Sequence, residues 1–250
     1  MNPLPGTALP SLISSLSAAH SATITDHPSS PALVADTIAH NVHHNLKINL
    51  LAAGPAPEPE PEREPRTNTT ISIHGLTWGD PLFTSPTTYG KPSSPQPAKH
   101  SFDKIILADC LWMPSQHANL VKTIDGYLAA QAQQDQAQAN ATSMPCALVI
   151  AGFHTGRSTL ARFFKIATGS STLSLTPGAP DRTQTADLDS PSDEDEDEEL
   201  KTLSTHAPLH AAELFEIDVD RNVRPWQPSR AGEDKHAAKR WCVVGILVRR

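Results

Sequence analysis

This sequence has no long apolar run, and outside one short segment it has no excess of either charge. No stretch approaches the roughly 18 consecutive apolar residues that a membrane-spanning helix needs. The amino-terminal residues have no basic region, and serines interrupt their apolar stretch, so they do not match a signal peptide. We therefore expect a cytoplasmic protein with no membrane partner.

The negative charge is confined to one short segment. The formal net charge is −7, and residues 193–199 (DEDEDEE) supply seven acids, so the remainder of the chain is neutral. A neutral body provides no electrostatic basis for binding nucleic acid. We expect no nucleic-acid partner.

Cysteine is scarce. Cys110, Cys146 and Cys242 are an odd number, and each has apolar neighbours in the sequence. This predicts buried free thiols in a reducing compartment rather than disulfides. No accompanying histidine and asparagine pattern marks one of them as a catalytic nucleophile.

Ordered and disordered segments are expected to alternate. Hydrophobic residues make up only 38% of the chain, and it contains 23 prolines. Its 250 residues are enough for one α/β domain, with predicted disordered insertions near 54–69, 84–100, 131–144 and 170–206. We expect a single domain over residues 1–250, and a monomer.

Apolar periodicity predicts strands that alternate with helices up to about residue 168. Predicted helices cover residues 9–16, 31–51, 115–131 and 157–167, and predicted strands cover 22–25, 71–76, 104–108, 146–151, 212–219 and 241–248. This alternation is typical of an α/β fold with a mostly parallel sheet and helices on both faces. The last two strands are expected to pair at one edge, one of them antiparallel. Ligands of such folds bind at the carboxyl ends of the strands.

Two residues at predicted strand ends each have two interpretations. Asp26 closes its strand in TITDHP, where a carboxylate accepts hydrogen bonds from ribose hydroxyls or caps a turn before Pro28. Trp78, in HGLTWGD, either offers a flat face to an adenine ring or a cation, or packs in the core or at its rim.

The stretch LADCLWMP (107–114) combines an acid with an aromatic residue. Asp109 directly follows a predicted buried strand, and Trp112 comes three residues later. A carboxylate beside an aromatic ring can hold an amine and strip its hydration, which suits a nitrogen that must be neutral to attack an electrophile. The alternative is an aspartate that caps the next loop and a tryptophan that packs beneath it.

Histidines cluster at one place and occur singly at another. His40, His43 and His44 share a predicted helix, but neither an HExxH glutamate nor a third ligand accompanies the i, i+4 pair, so we predict a solvated helix face rather than a metal site. His154, in AGFHTGR, follows a strand and either enters the site or belongs to a structural turn.

Six segments together resemble one enzyme family, the fungal nicotinamide N-methyltransferase-like proteins. The segments are GTALPSLISSL, ATITDHPSSPALVADTIAHNV, HGLTWGD, FDKIILADCLWMPSQHANLVKTI, ALVIAGFHTGR and RWCVVGILVRR. The family belongs to the seven-β-strand methyltransferases, and most members are regarded as methylating the N-terminal glycine and adjacent lysine of elongation factor 1-alpha. The resemblance implies a Rossmann-like sheet, S-adenosylmethionine as cofactor, elongation factor 1-alpha as protein substrate, and no metal.

The resemblance also implies roles for particular residues. Gly6, Asp26, Trp78 and Ala108 would bind the cofactor. Asp109 and Trp112 would form the family's Asp-x-x-aromatic motif and position the substrate. The reaction would be in-line transfer of a sulfonium methyl group to nitrogen, accelerated mainly by positioning.

The sequence departs from the family at its start. Family members have a strand followed by Glu-Leu-Gly-Ala-Gly, whereas here Asn2, Pro3, Leu4 and Pro5 precede Gly6. We expect from this a chain truncated at the amino terminus that lacks the first strand. Loss of about four buried apolar side chains, at roughly 1.5–3 kcal/mol each, would remove roughly 6–12 kcal/mol. That is comparable with a typical domain stability of about 5–15 kcal/mol, so weak or no activity is expected.

Two other functions remain open from the sequence. The same fold could methylate nicotinamide or another small molecule. Alternatively, the chain is a non-enzymatic α/β interaction module whose acidic segment carries the function.

Overall fold

A computed structural model describes residues 8–46, 68–84, 97–130, 144–169 and 207–250. Nearly all of the four predicted insertions lie outside these ranges. Gly6 and residues 47–51, the predicted end of the second helix, also lie outside them.

Six α-helices and seven strands occur within the described ranges. The helices are α1 (Leu9–Leu16), α2 (Pro31–Val34), α3 (Thr37–Leu46), α4 (His117–Tyr127), α5 (Arg157–Thr168) and α6 (Lys235–Ala238), with 3₁₀ turns at Pro114–Gln116 and Phe153–Thr155. The strands are β1 (Ser21–Asp26), β2 (Thr70–Gly75), β3 (Lys104–Ala108), β4 (Cys146–Gly152), β5 (Leu209–Asp218), β6 (Val223–Pro225) and β7 (Trp241–Arg249). All six predicted strands are present, and β3 has the predicted bounds.

The strands form two sheets rather than one. β1 and β2 pair in parallel, and a second sheet has the order β3-β4-β7-β5-β6. β3 and β4 are parallel, while β7 is antiparallel to both β4 and β5. The expected antiparallel pairing of the late strands is confirmed, but β7 lies inside the sheet instead of at its edge. The architecture is therefore mixed α/β.

The predicted helix over residues 31–51 is interrupted. α2 ends at Val34 and α3 begins at Thr37, because Asp36 has a φ of 57° and the left-handed conformation cannot continue a right-handed helix. Ile38 and Val42 are nevertheless buried, as the periodicity predicted. Apolar spacing alone does not reveal a single residue with positive φ.

The predicted helix over residues 115–131 is shorter than expected. A 3₁₀ turn precedes α4, and α4 ends at Tyr127 because Leu128 is extended and bridges to Phe102. The Phe102 backbone N–H donates to the Tyr127 carbonyl at 3.1 Å, and its carbonyl accepts from Ala129 N–H at 2.9 Å. These tertiary hydrogen bonds replace the helical ones.

α1 lies with an unexpected face inward. Leu9, Ile13 and Leu16 are exposed, whereas Ser11 and Ser15 are buried beside Leu12. The Ser15 hydroxyl donates to the Ser11 carbonyl at 2.8 Å, so its burial leaves that donor satisfied.

Two hydrophobic clusters stabilise the described chain. The larger lies between the five-stranded sheet and helices α4 and α5, and the fully buried Phe163 and Phe164 belong to it. At Gly245 in β7, an added Cβ would lie 2.8 Å from Phe164 Cε1, so the strand approaches this ring more closely than any side chain allows. The smaller cluster joins α1–α3 to β1.

Arg250 connects two distant parts of the chain. Its backbone N–H donates to the Pro208 carbonyl at 3.2 Å, and its Nε donates to the Leu209 carbonyl at 3.0 Å. Its Nη2 donates to the Thr168 carbonyl at 2.5 Å. The end of α5 and the beginning of β5 are thus held at one residue.

The cysteines are free, as predicted, but they are not all buried. Cys110 is buried, whereas Cys146 and Cys242 are partly exposed. No helix in the described ranges is long and apolar enough to cross a membrane.

Candidate functional site

A cavity of about 330 Å³ borders the carboxyl ends of β1, β2 and β3. Its walls are largely apolar, with Trp78 and Trp112 as the two large aromatic residues. The remaining lining residues are His27, Leu76, Thr77, Met113 and Gln116. Flat aromatic walls at strand ends suit a planar ring or a cationic group.

Trp78 is held by a tight loop against α4. Gly79 has a φ of 86°, and an added Cβ would lie 2.7 Å from Asn119 Oδ1, so only glycine fits there without a shift. The Gly79 N–H donates to Thr123 Oγ1 at 2.8 Å. Trp78 itself is partly buried against the larger cluster, so both interpretations from the sequence, core packing and a ligand-facing ring, describe it.

Trp112 is 49% exposed, although its neighbours Cys110 and Leu111 are buried. The Leu111 carbonyl accepts a hydrogen bond from His117 Nε2 at 3.0 Å, which fixes the backbone just before the tryptophan. The structure therefore does not show Trp112 packed beneath the loop. The ring contributes to the cavity wall instead.

Asp26 is buried at the end of β1, where it also organises a turn. Its Oδ1 accepts from the His27 N–H at 2.8 Å, and its Oδ2 accepts from the Ser30 hydroxyl at 2.6 Å. Ser30 in turn caps α2 by accepting from Ala32 N–H. The turn interpretation of Asp26 is thus observed. Each carboxylate oxygen still has a lone pair for a ligand hydroxyl.

Asp109 lies where β3 and β4 end side by side. Its φ is 56°, and its carboxylate is 60% exposed, 3.8 Å from His154 Nδ1 and 3.4 Å from the Gly152 N–H. The charge acts on nearby thiols: burial and Asp109 raise the pKa of Cys110 far above its usual value, and the same two causes raise that of Cys242. These cysteines are therefore protonated and not activated as nucleophiles.

The predicted site residues divide into two groups. Trp78 and Trp112 share one cavity, with Asp26 directly before the lining residue His27. Asp109 lies beside His154 where β3 and β4 end. Ala108 is half-buried in β3. The described walls of the cavity include none of Asp26, Ala108 and Asp109. Gly6 lies outside the described residues.

A buried cluster of ion pairs around Glu216 and Glu233 was not predicted from the sequence. Glu216 on β5 is fully buried and receives two hydrogen bonds from Arg157, at 2.7 and 2.9 Å, and one from Arg224 at 2.6 Å. Glu233 accepts from Arg157 at 2.5 and 3.0 Å, and Arg230 Nε lies 3.3 Å from Glu216. A glutamate inside the apolar run LFEID was the available signal.

The cluster keeps its acids ionised. Burial raises the pKa of Glu216, but hydrogen bonds from the three arginines outweigh it and hold the pKa below its usual range. Hydrogen bonds from Arg157 do the same for Glu233. The Arg157 guanidinium also lies 4.0 Å from the centre of the Phe153 ring, just after β4. The cluster thus fixes the segment that carries His154.

The three histidines of α3 face solvent. His40, His43 and His44 are exposed on α3, which confirms the predicted solvated face. Within the described residues, no group of three or more histidine, cysteine or acidic side chains is placed to hold a metal ion.

Comparison with family models and with curated proteins assigns the chain to no family. No family model matches the chain, and no curated protein matches it. A functional conclusion therefore depends on the site itself.

Proposed function

We propose that the chain is an S-adenosylmethionine-dependent N-methyltransferase that acts on an amine of a protein, with elongation factor 1-alpha as the expected substrate. The observation that carries the proposal is the aromatic cavity of Trp78 and Trp112 at the carboxyl ends of β1–β3, beside a buried strand-end acid, Asp26. The finer fold assignment, a Rossmann-like seven-stranded methyltransferase sheet, belongs to the same proposal.

The described residues fit the adenosyl part of the cofactor. Trp78 offers a ring for stacking, and Asp26 retains acceptor capacity for ribose hydroxyls on both oxygens. Ala108 and Asp109, at the end of β3, would lie next to the reacting group. When bound, S-adenosylmethionine supplies an electrophilic methyl group on a sulfonium.

The substrate side of the proposal depends on Asp109 and Trp112. The exposed Asp109 carboxylate accepts hydrogen bonds from an entering amine and orients its nitrogen. The half-exposed Trp112 ring covers the amine and removes water from it. Desolvation disfavours the ammonium form, so Asp109 and Trp112 would present the amine in its neutral form, the form whose nitrogen has a free lone pair.

Two measurements test the proposal. Tryptophan fluorescence, read while the purified chain is titrated with S-adenosylmethionine, should show saturable binding, with adenosine as competitor. Transfer of a labelled methyl group should then be assayed on purified elongation factor 1-alpha and on nicotinamide in parallel. Labelling of the protein supports the proposal, whereas labelling of nicotinamide alone rejects the protein substrate. Absence of binding by a chain that melts cooperatively rejects the activity altogether.

A further inference from the structure

Backbone contacts hold Asp109 and His154 side by side at the ends of β3 and β4. The Asp109 N–H donates to the Ile150 carbonyl at 2.7 Å, and the Gly152 N–H donates to Asp109 Oδ1 at 3.4 Å. His154 follows in the 3₁₀ turn Phe153–Thr155, before α5. The two hydrogen bonds join the end of β3 to the end of β4, so the sheet itself sets the distance between the carboxylate and the imidazole.

Gly152 leaves space beside the imidazole ring. A Cβ added at this position would lie 3.3 Å from His154 Nδ1. The same nitrogen is 3.8 Å from Asp109 Oδ1, which is too far for a direct hydrogen bond. Both side chains are about half exposed. A ligand that arrives from solvent can therefore reach both polar atoms.

The distance between these two atoms suits one shared nitrogen. An ammonium nitrogen about 2.9 Å from each atom forms a triangle on the 3.8 Å base, and each of its two N–H groups bends from linearity by less than about 30°. The carboxylate attracts the positive charge of the ammonium. An imidazole accepts a proton more readily than a carboxylate does. The two acceptors are thus chemically suited to different parts of one task.

We propose that an amine of the protein substrate binds between Asp109 Oδ1 and His154 Nδ1, and that His154 accepts the proton which the ammonium must lose. The N–H bond of the ammonium breaks, and its electron pair stays on the substrate nitrogen as the lone pair. The proton forms a new N–H bond at Nδ1 of an imidazole whose other hydrogen is on Nε2. The half-exposed ring then returns the proton to water. This inference rests on the proposed transfer of a methyl group to a protein amine.

The segment that carries His154 is fixed from both sides. Phe153 is buried in the larger hydrophobic cluster, where its ring stacks on that of Trp226 with centroids 5.9 Å apart. Arg157 is held by hydrogen bonds to Glu216 and Glu233. A proton acceptor is effective when its position is set before the substrate arrives. The buried ion pairs thus contribute to the position of the imidazole without contacting the substrate.

Charged groups also face His154 from the side away from Asp109. A cavity of about 530 Å³ borders His154 there, and its charged lining residues among those described are Arg157, Arg230, Glu233, Asp234 and Lys239. Side chains of these types ordinarily keep their charges between pH 6 and pH 8. Cys242, paired with Gly152 across β7 and β4, is protonated because burial and Asp109 raise its pKa. Among the described groups around His154, the imidazole itself is the one that ordinarily titrates in this range.

Nitrogen NMR of the full chain tests the proton transfer without turnover. The chain carries nitrogen-15-labelled histidine, and the His154 signals are identified by their loss in His154→Gln. The probe is Gly-Lys-Gly-Gly-amide, added with S-adenosylhomocysteine, which has no methyl group to transfer; the control peptide is acetylated at both amines. At pH 8, where a solvated imidazole is neutral, the probe should move both ring-nitrogen signals toward imidazolium values, and the control should not.

Two outcomes of this measurement are decisive against the proposal. Binding of the probe, read by tryptophan fluorescence, without any change in the His154 signals overturns the proton transfer and leaves the proposed function intact. If neither the probe nor purified elongation factor 1-alpha binds to the folded chain, the proposed function is rejected, and this inference is rejected with it.

His154→Gln separates proton transfer from a structural role. Glutamine keeps a hydrogen-bond acceptor but takes no proton in this range. At pH 7, kcat should fall about a hundredfold, with KM for the protein substrate changed by less than about threefold. The loss should shrink below about tenfold at pH 9, where the free amine is abundant. An equal loss at both pH values, or a change in KM alone, overturns the proposal. His236→Gln, at an exposed histidine of α6, is the matched control and should keep the rate and its pH profile.

Gly152→Ala tests where the amine binds. The backbone angles at Gly152, φ −80° and ψ 159°, are ordinary for alanine, so the new methyl group crowds Nδ1 without straining the chain. Probe affinity should fall about tenfold or more, while the affinity for S-adenosylhomocysteine changes by less than about twofold. Gly126→Ala, which has no atom within 4 Å of the added Cβ, controls for glycine replacement. Unchanged probe affinity in Gly152→Ala overturns the placement of the amine between the two side chains.

Discussion

The carboxylate of Asp109 lies 3.8 Å from Nδ1 of His154, and this pair joins the ends of two neighbouring parallel strands, β3 and β4. Both side chains are substantially exposed, so they face incoming molecules rather than the core. Asp109 directly follows β3, one of the strands whose carboxyl ends border the aromatic cavity. It is therefore the first place to test the proposed chemistry.

Asp109→Asn should separate substrate positioning from cofactor binding. Asparagine tolerates the φ of 56° at this position, so the backbone should not change. We expect kcat/KM for methyl transfer to the protein substrate to fall by about tenfold to a hundredfold, because the charge that orients the amine is lost. The affinity for S-adenosylmethionine should change by less than about twofold. An equal loss of cofactor affinity would place Asp109 in the cofactor site instead.

Trp112→Ala should impair ligand binding without destabilising the fold. The ring is 49% exposed, so its removal should change the free energy of unfolding by no more than about 0.5 kcal/mol. The affinity for the protein substrate, whose amine the ring would cover, should fall by about tenfold, as measured by calorimetry. Trp112→Phe is the matched control and should keep most of the affinity. Loss of affinity in both variants would argue against a role for the aromatic face.

His74 should make stability depend on pH near neutrality. The side chain is 3% exposed, neither ring nitrogen has a hydrogen-bond partner, and burial lowers its pKa. The unfolded chain then binds the proton more readily, so stability is complete above a pH of about 6.5 and falls as the pH decreases toward the folded pKa. The slope reaches about 1.4 kcal/mol per pH unit.

His74→Phe removes this proton-binding site and keeps a ring beside Phe83, whose centroid is 5.6 Å away. Urea unfolding between pH 7 and pH 5 should show a shallower decrease in stability than in the unmodified chain. His117, whose pKa burial also lowers, should contribute in the same direction. Exposed His40, replaced by glutamine, serves as the control. If His74→Phe leaves the dependence of the unfolding free energy on pH unchanged, protonation of His74 is not its cause.

Glu216→Gln should destabilise the chain strongly. The carboxylate is fully buried among three guanidinium groups, and its loss leaves Arg157 buried without a full counter-charge. We expect a decrease of about 3–5 kcal/mol in the free energy of unfolding, measured with urea. Asp220→Asn removes an exposed pair with Arg240 and should cost less than about 1 kcal/mol. Similar effects of the two variants would mean that burial does not set the strength of the cluster.

Gly245→Ala should disturb the packing of β7. The new methyl group would meet the Phe164 ring at 2.8 Å, and both the ring and the strand are enclosed. A loss of about 1–3 kcal/mol is expected by thermal or urea unfolding. Gly126→Ala on α4 has no atom within 4 Å of the added Cβ and should be neutral or slightly stabilising. A neutral Gly245→Ala would show that Phe164 can move aside.

The strands could be predicted from sequence because β3, β4 and β7 are continuous apolar runs, and such runs mark buried strands whatever their neighbours are. The helices were less predictable. Asp36 interrupts one through a backbone angle, and Ser11 and Ser15 face inward on α1, where hydrophobicity places Leu9 and Ile13. Neither a single backbone angle nor a serine bonded to its own helix leaves a periodic signal.

The candidate site was predictable only in part. Strand ends identify Asp26, Trp78 and Asp109, but no local pattern indicates that Trp78 and Trp112 share a cavity, or that His154 lies beside Asp109. The Arg157–Glu216 pair joins residues 59 positions apart, which periodicity cannot detect. Contacts of this kind depend on the order of strands in the sheet.

Arg250 makes the length of one connection nearly irrelevant to stability. Because a single residue holds both the Thr168 and the Pro208 carbonyls, the two ends of the connection through residues 170–206 are fixed in place by contacts outside that connection. The entropy of closing a loop grows only with the logarithm of its length, about 0.6 kcal/mol for each doubling. Related chains can therefore gain or lose residues between α5 and β5, including acidic ones, while the sheet that carries Asp109 and His154 stays the same.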